Sequence, residues 1–323
     1  MSHKHVFTFN TVIAALSLLI SACTAQAKPT ATAVPTATVE PTITPVPMTF
    51  TDGLGRTVNL SGPAQRVVSL APSNTEILFA VGAGAQTVGR DEFSDYPAEA
   101  LNLPAIGGSY GKYNLEAIVA LKPDLVLAAE INTAAQVQAM ADLGLTVYLL
   151  PNPVTLDEMY GNLETVARMT GHETETASLI ESLQARVATV VEKANRAADR
   201  PLVYYELDAT DPNAPFTAGA GTFVDKLITM AGGENAANIL ESAWAQISAE
   251  KLIELNPAII LLGDAAYGTT PESVAKRSGW NAIDAVKNSK IYPFDDNLAS
   301  RPGPRLVDGL ETLIKNIHPE LYK

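Results

Sequence analysis

A short glycine-rich segment carries the residue types of a possible catalytic site. Gly107–Gly111 reads GGSYG and satisfies the G-x-S-x-G pattern of a hydrolase nucleophile elbow, with Ser109 as the nucleophile. Such an elbow needs a strand directly before it and a helix directly after it. Only Ala105 and Ile106 separate Pro104 from the glycines, which leaves little room for that strand. A serine hydrolase is therefore kept as the less favoured alternative.

Aromatic residues beside predicted loops and strand ends suit a different chemistry, the binding of a ligand by stacking and apolar contact. Arg301 could add hydrogen bonds to amide or phosphate groups through its planar guanidinium, although solvation beside the last helix is its alternative role. Each aromatic residue could instead serve packing. The aromatic candidates are Tyr110, Tyr113, Tyr204 or, preferably, Tyr205, Phe216 and Trp244.

The N-terminus has the pattern of an exported lipoprotein. An apolar stretch too short to span a bilayer precedes Ile20-Ser21-Ala22-Cys23, which resembles a bacterial lipobox. Cys23 is the only cysteine of the chain. Threonine and proline then dominate as far as residue 48, which is typical of an extended spacer. The sequence thus predicts a protein attached by lipid outside the cytoplasm, in a periplasm or on a cell surface.

The composition excludes several classes of function. The formal net charge of −13 and the lack of a basic run argue against binding to nucleic acid. Lipidation of Cys23 would leave no thiol for disulfides, catalysis or metal. Of the four histidines, His172 and His318 lie beyond the predicted signal peptide, and their wide separation makes a histidine-rich zinc site improbable.

Two copies of a helix–proline–strand unit predict the architecture that positions these residues. Leu115–Ala128 reads LEAIVALKPDLVLA, and Ala249–Leu262 reads AEKLIELNPAIILL. In each, an apolar pattern of helical period ends at a proline, which cannot continue a helix. An unbroken aliphatic run follows, as expected for a strand buried on both faces of a parallel sheet. We predict two Rossmann-like α/β lobes with mainly parallel sheets. The alternative is that these are two of the several such units of any α/β domain.

A long helix is predicted between the two copies. Residues 173–198 contain neither glycine nor proline and carry apolar residues at helical spacing. The predicted organisation is therefore a signal peptide (1–22), a lipidated cysteine with its linker (23–48), an N-terminal lobe (49–172), the connecting helix (173–198) and a C-terminal lobe (199–323).

Taken in order, these features resemble one family. The lipobox, residues 69–76 (SLAPSNTE), the two repeated units and the long helix are similar to helical-backbone substrate-binding proteins of ABC importers, which serve cobalamin, ferric siderophores or haem. The resemblance covers about Phe50 to Pro319. It implies a ligand held between two lobes, no catalysis, no resident cofactor and limited hinge motion. The implied partners are the permease and ATPase of the importer, with the protein itself a monomer.

Within this family the chain most resembles the corrinoid binders. The similar cleft loops are 107–118, 215–217, 243–246 and 301–305. The resemblance implies that the ligand is contacted by the aromatic candidates, by Arg301 and by Ser73 of the SLAPSNTE segment. A ferric catecholate is strongly anionic and would need more cations than Arg301 and Lys112. Haem would need a tyrosine or histidine ligand. Both remain alternatives to a corrinoid.

The family also docks on arginines of the permease through one acidic residue on the surface of each lobe. Glu76 matches the position of the first. Aligning Gly82 with Gly232 places Lys226 opposite Glu76, with Asp225 one position away. One position on a helix is a rotation of about 100°, so Asp225 is the looser match.

Overall fold

The computed structural model describes residues 46–108 and 111–322. The predicted signal peptide, Cys23, nearly all of the linker, Ser109 and Tyr110 lie outside the described residues. Within the described part of the chain, no helix is both long enough and apolar enough to cross a membrane.

The first lobe is built on a four-stranded parallel sheet. Its strands are β3 (Val67–Ser69), β4 (Thr87–Gly89), β5 (Leu125–Ala129) and β6 (Val147–Leu150), in the spatial order β4-β3-β5-β6. The unalternating apolar run of β5 is buried on both faces, as the sequence predicts. A separate antiparallel hairpin of β1 (Met48–Thr51) and β2 (Thr57–Leu60) precedes this sheet.

Four helices flank the first sheet, and local capping explains where several of them begin. They are α1 (Pro72–Ala80), α2 (Leu115–Ala120), α3 (Ala134–Asp142) and α4 (Leu156–Thr170). The side chain of Thr133 accepts a hydrogen bond from the backbone N–H of Gln136, and the side chain of Gln136 accepts one from the backbone N–H of Thr133, which forms a capping box. Helix α4 ends at Gly171, whose φ of 81° suits the left-handed conformation that glycine tolerates.

One long helix, α5 (Glu173–Ala194), connects the lobes. It ends four residues before the predicted limit of 198, where the chain turns after Asn195. Glycine and proline are absent there, so composition alone could not mark this end. Arg186 on α5 forms ion pairs with Asp308 (2.5 Å) and Glu311 (2.8 Å) of the last helix, which fastens α5 to the second lobe.

The second lobe has a mixed sheet with a parallel centre. Strands β7 (Leu202–Asp208), β11 (Ile259–Leu262) and β12 (Ile291–Pro293) run parallel, and the short β9 (Glu234–Asn235) is parallel to β7. Strand β8 (Phe216–Ala218) is antiparallel to β7, and β10 (Trp244–Gln246) is antiparallel to β8. A short antiparallel ribbon thus forms the edge of this sheet.

The helices of the second lobe complete the α/β layers. They are α6 (Phe223–Met230), α7 (Ala249–Leu255), α8 (Pro271–Ala275), α9 (Asp284–Lys287), α10 (Asn297–Ser300) and α11 (Leu306–Ile317). Helix α7 starts at the cap Ser248 and ends at Asn256, just before Pro257, so this repeated unit folds as predicted.

One hydrophobic core runs through both lobes. It joins buried residues of the first sheet to Leu163 on α4, Leu183 on α5, Leu310 on α11 and Val203 on β7. The outer face of each sheet has its own smaller cluster. Because protein interiors are close-packed and resist deformation, the shared core restrains movement of one lobe against the other.

Candidate ligand-binding site

The loops after the parallel strands of both lobes meet in a cleft. A pocket of about 320 Å³ is lined by residues that follow the first-lobe strands, at 71–73, 129–131 and 152. Residues 300–302, which follow the last strand of the second lobe, line the same pocket. Ligands of open α/β sheets bind beyond the carboxyl ends of the strands. The cleft lies at that end of both sheets and brings Ser73 and Arg301 together.

Arg301 is part of a charged cluster that joins the lobes. Its Nη1 donates to Glu76 Oε1 (3.2 Å) and to Asp95 Oδ1 (2.5 Å). Arg305 donates to both oxygens of Glu76, at 2.6 and 2.8 Å, and its guanidinium lies 4.1 Å from the centre of the Tyr96 ring. We call Glu76, Asp95, Arg301 and Arg305 the lobe junction. The guanidinium of Arg301 is already engaged by two carboxylates.

Burial and charge act in opposite directions within the lobe junction. Partial burial alone would raise the pKa of Asp95, but the hydrogen bond and charge of Arg301 outweigh it and lower that pKa. Burial alone would lower the pKa of Arg305, whereas its hydrogen bond to Glu76 raises it. The net shifts in pKa favour the charged forms of Asp95 and Arg305.

The two acids expected on the lobe surfaces are both buried, so this part of the docking prediction is wrong. Glu76 is only 2% exposed because its carboxylate lies between the two arginines of the second lobe. Asp225 is also buried, and its carboxylate accepts hydrogen bonds from the backbone N–H of Gly221 (3.1 Å) and from Asn235 (3.3 Å). The exposed neighbour of Asp225 is Lys226.

Tyr205 is a core residue, which contradicts its prediction as a ligand contact. Its ring is 0% exposed and packs edge-on against Phe294, with ring centres 5.8 Å apart. Its hydroxyl donates to Asp296 Oδ1 at 2.5 Å. The reason is the double coverage of β7, which buries Tyr204 and Tyr205 alike on opposite faces of the strand.

Tyr113 is half-buried and supports the loops of the first lobe. Its hydroxyl donates to the carbonyl of Leu70 (2.9 Å) and accepts from Asn132 Nδ2 (2.7 Å). Burial raises the pKa of this hydroxyl, so it stays protonated and able to donate. Tyr113 therefore links the loop after β3 to the loop after β5.

Phe216 and Trp244 stand on the antiparallel ribbon of the second lobe. In the ribbon, Trp244 pairs with Ala218, and Gln246 pairs with Phe216. The side chains of Trp244 and Phe216 therefore lie on the same face of the ribbon as diagonal neighbours. Trp244 is 52% exposed and Phe216 is 43% exposed. Phe216 also pairs with Asp208 at the carboxyl end of β7, which places the ribbon beside the cleft.

Sequence reasoning missed two other exposed residues at strand ends. Ile131 follows β5 and lines the pocket between the lobes. Tyr267 follows β11, is 90% exposed and precedes Gly268, whose φ of 103° sets the turn. The signal that could have found them is their position just after a predicted buried strand. We call Ile131, Phe216, Trp244 and Tyr267 the cleft rim.

A second pocket lies at the carboxyl ends of β7 and β11. It encloses about 540 Å³, and its lining includes Asp208, Thr210, Asp264, Tyr267 and Thr269. Among the residues that the structure describes, no group of three or more histidines, cysteines and acids could hold a metal ion.

Two α/β lobes, a cleft at their strand ends and a connecting helix define a solute-binding protein. A family model described as "Periplasmic binding protein" matches residues 67–298, so the chain belongs to the periplasmic binding proteins. It is similar to the uncharacterized ABC transporter substrate-binding lipoprotein YvrC of Bacillus subtilis, with 33% identity over 282 residues, 86% of this chain and 87% of the relative.

Two solved structures share the fold. The vitamin B12-binding protein BtuF of Vibrio cholerae superposes with a TM-score of 0.67 and 27% identity, covering 81% of this chain and 99% of that chain. The haem-binding protein RhuT from Roseiflexus sp. RS-1, in its apo form, has a TM-score of 0.71 and 28% identity, covering 80% and 99%. The two resemble this chain about equally.

These findings decide between binding and catalysis. The chain is a periplasmic binding protein and not an enzyme. The hydrolase alternative is therefore wrong. The backbone agrees, because Gly107 forms an isolated bridge to Tyr113 where an elbow needs a strand, and the following helix begins only at Leu115.

Proposed function

We propose that the protein captures a corrinoid of the cobalamin type between its lobes and delivers it to the permease. The observation that carries this proposal is the exposed aromatic face of Phe216 and Trp244 beside the cleft. A corrin is large, nearly flat and largely uncharged, so stacking and apolar contact suit it. Ser73, Ile131 and Tyr267 would complete the contact surface.

The charges of the cleft argue against a strongly anionic ligand. A ferric catecholate needs free cations, whereas Arg301 is paired with Glu76 and Asp95. To bind such a complex, Arg301 would have to leave at least one carboxylate. A ferric siderophore is therefore the less favoured ligand, and no resident cofactor is part of the proposal.

Haem is the second candidate, and one observation favours it. The phenol of Tyr267 is 90% exposed beside the cleft, and tyrosine is a known axial ligand of haem iron. The described histidines are less suitable, because His172 is hydrogen-bonded to Gln86 and His318 is buried against Gly232 and Glu320.

Titration of the purified protein with cyanocobalamin and with haem, followed by calorimetry and visible absorption, tests the proposal. We expect saturable binding of cyanocobalamin at one site per protein. Binding of haem with an iron–tyrosinate absorption band that Tyr267→Phe removes, and no binding of cyanocobalamin, would replace the corrinoid by haem.

We further propose that Cys23 carries a lipid that holds the protein outside the cytoplasm, near the permease. The lipobox that ends at Cys23 and the lipoprotein among its relatives support this. Cys23→Ser should abolish labelling by a radioactive fatty acid and release the protein from the membrane. Retained labelling would contradict the anchor.

A further inference from the structure

A short segment of the first lobe reaches across to the second lobe. We call residues 91–96 the strap. The carboxylate of Asp95 accepts a hydrogen bond from Arg301 Nη1 (2.5 Å), and the carbonyl of Phe93 accepts one from Arg301 Nη2 (3.4 Å). Arg301 lines the pocket of about 320 Å³ between the lobes, which we call the inter-lobe pocket. The strap therefore holds a side chain of the pocket wall.

Buried hydroxyl groups attach the strap to the end of β3. The hydroxyl of the fully buried Ser94 donates to the carboxylate of Asp91 and is hydrogen-bonded to the hydroxyl of Thr75 on α1 (2.7 Å). Thr75 Oγ1 lies 2.8 Å from Ser69 Oγ, and the hydroxyl of Ser69 donates to the carbonyl of Ala71 (3.0 Å). Ala71 lines the inter-lobe pocket. A continuous chain of hydrogen bonds thus joins the first-lobe wall of the pocket to the strap.

The apolar side chains of the strap do not anchor it. Phe93 is 55% exposed and Tyr96 is 46% exposed, and within the strap only Asp91 and Ser94 are buried. Hydrogen bonds between buried side chains are directional and specify one arrangement, whereas apolar contact is less selective. The side chains of Asp91 and Ser94, together with one backbone hydrogen bond to the glycine-rich segment (2.9 Å), therefore determine where the strap lies.

We propose that Ser94 is a positioning residue for the inter-lobe pocket. Its hydrogen bond to Thr75 holds the strap against α1, and the strap holds the guanidinium of Arg301 at the pocket wall through Asp95. Without the strap, Arg301 would keep Glu76 alone, at 3.2 Å, which is a longer and weaker contact than the 2.5 Å to Asp95. Ser94 thus acts on the pocket without lining it.

The test measures how fast phenylglyoxal, which modifies guanidinium groups, labels Arg301 in the protein without ligand. Arg277 is the internal reference, because its side chain is 12% exposed and paired with Glu206, compared with 13% exposure for Arg301. Peptide mass spectrometry gives the labelling rate of each arginine separately. The outcome does not depend on whether the cleft takes cyanocobalamin or haem, so this proposal can fail or hold independently of the proposed function.

The main variant is Thr75→Val, which replaces the hydroxyl by a methyl group of similar size. Its matched control is Thr87→Val, the same change at another buried threonine of the first lobe, whose hydroxyl donates to the carbonyl of Ala83 (3.1 Å). Asp95→Ala removes the carboxylate that Arg301 binds, at an exposed position. Circular dichroism and thermal unfolding show which variants are folded, and Ser94→Ala repeats the test if Thr75→Val is not.

We expect Thr75→Val to raise the labelling rate of Arg301 by about fivefold, the shift in a local opening equilibrium when one hydrogen bond is lost. Asp95→Ala should raise it at least as much, Thr87→Val should leave it unchanged, and the rate for Arg277 should stay constant throughout.

An unchanged rate for Arg301 in folded Thr75→Val would overturn the proposal. Equal rises for Arg301 and Arg277 would do the same, because they would indicate general loosening of the fold. An unchanged rate in Asp95→Ala would also overturn it, since the strap would then not hold Arg301.

Discussion

The lobe junction and the cleft rim are built in opposite ways. In the lobe junction, Glu76 is buried and satisfied by Arg301 and Arg305. At the cleft rim, Trp244 and Tyr267 extend into solvent, and no part of the shared core depends on them. In this cleft the charged side chains of the lobe junction stabilise the arrangement of the two lobes. The exposed side chains of the cleft rim, which are available to a ligand, are uncharged.

The largest expected effect is on stability, from Glu76→Ala. Removing this carboxylate leaves the largely buried Arg305 without a carboxylate partner and Arg301 with Asp95 alone, which should lower the free energy of unfolding by about 3–5 kcal/mol. Chemical denaturation followed by circular dichroism measures it. The control is Glu92→Ala, an exposed acid of the same lobe. An equally small change in both variants would show that the lobe junction contributes nothing.

Trp244→Ala should have the opposite effect, with weaker ligand binding and nearly unchanged stability. Loss of stacking should weaken cyanocobalamin binding by roughly 1 kcal/mol, about fivefold, since aromatic pairs contribute that much beyond burial. Stability should change by less than about 0.5 kcal/mol, as for an ordinary surface position. Calorimetric titration and thermal unfolding together test both statements.

The second tryptophan of the chain is the matched control for that experiment. Trp280 is 1% exposed and packs against Tyr204 in the core of the second lobe. Trp280→Ala should therefore lower stability by about 3–5 kcal/mol. If Trp244→Ala proved as destabilising as Trp280→Ala, the cleft rim would be part of the core and the comparison would break down.

The smallest expected effect is the pH dependence of the stability contributed by the ion pair between α5 and α11. The hydrogen bond from Arg186 lowers the pKa of Glu311. A carboxyl whose pKa is lower in the folded state stabilises the protein above its unfolded pKa, and this contribution is lost as the pH falls through the folded pKa. The side chains of Arg186 and Glu311 are both about one-third exposed, so solvent screening limits the contribution of their ion pair to stability to about 0.5 kcal/mol.

The test compares wild type and Arg186→Gln by denaturation at several pH values. Their difference in stability should be present at pH 7 and shrink as the pH falls through the lowered pKa of Glu311 in the folded protein. A difference that is constant over this range would mean that packing of the Arg186 side chain, not its charge, fastens the helix.

The sequence was sufficient for the architecture because burial on both faces leaves a readable pattern. The aliphatic runs of β5 and β11 and the prolines before them predict the repeated units, and both units fold accordingly. The same double burial misled the prediction for Tyr205. Aromatic residues in a fully covered strand look identical in sequence to aromatic residues at a strand end.

The site was harder to predict because its decisive contacts are far apart in the chain. Nothing local to Glu76 indicates that Arg305 neutralises it, since that contact closes only when the two lobes are packed together. The pocket at the carboxyl ends of β7 and β11 likewise brings Asp208 and Asp264 together through the pairing of these two strands. Such pairs depend on register, and register is not visible in composition or local pattern.

The placement of Trp244 and Phe216 on an edge ribbon has a consequence for how such proteins diversify. Among the described strands, the ribbon pairs with the rest of the sheet through β8, and Trp244 and Phe216 on its exposed face lie outside the shared core. Substitutions on that face can accumulate without endangering the fold on which they stand. A lineage could therefore exchange one flat ligand for another through a handful of changes at this edge, while the lobes and the helix between them are inherited unchanged.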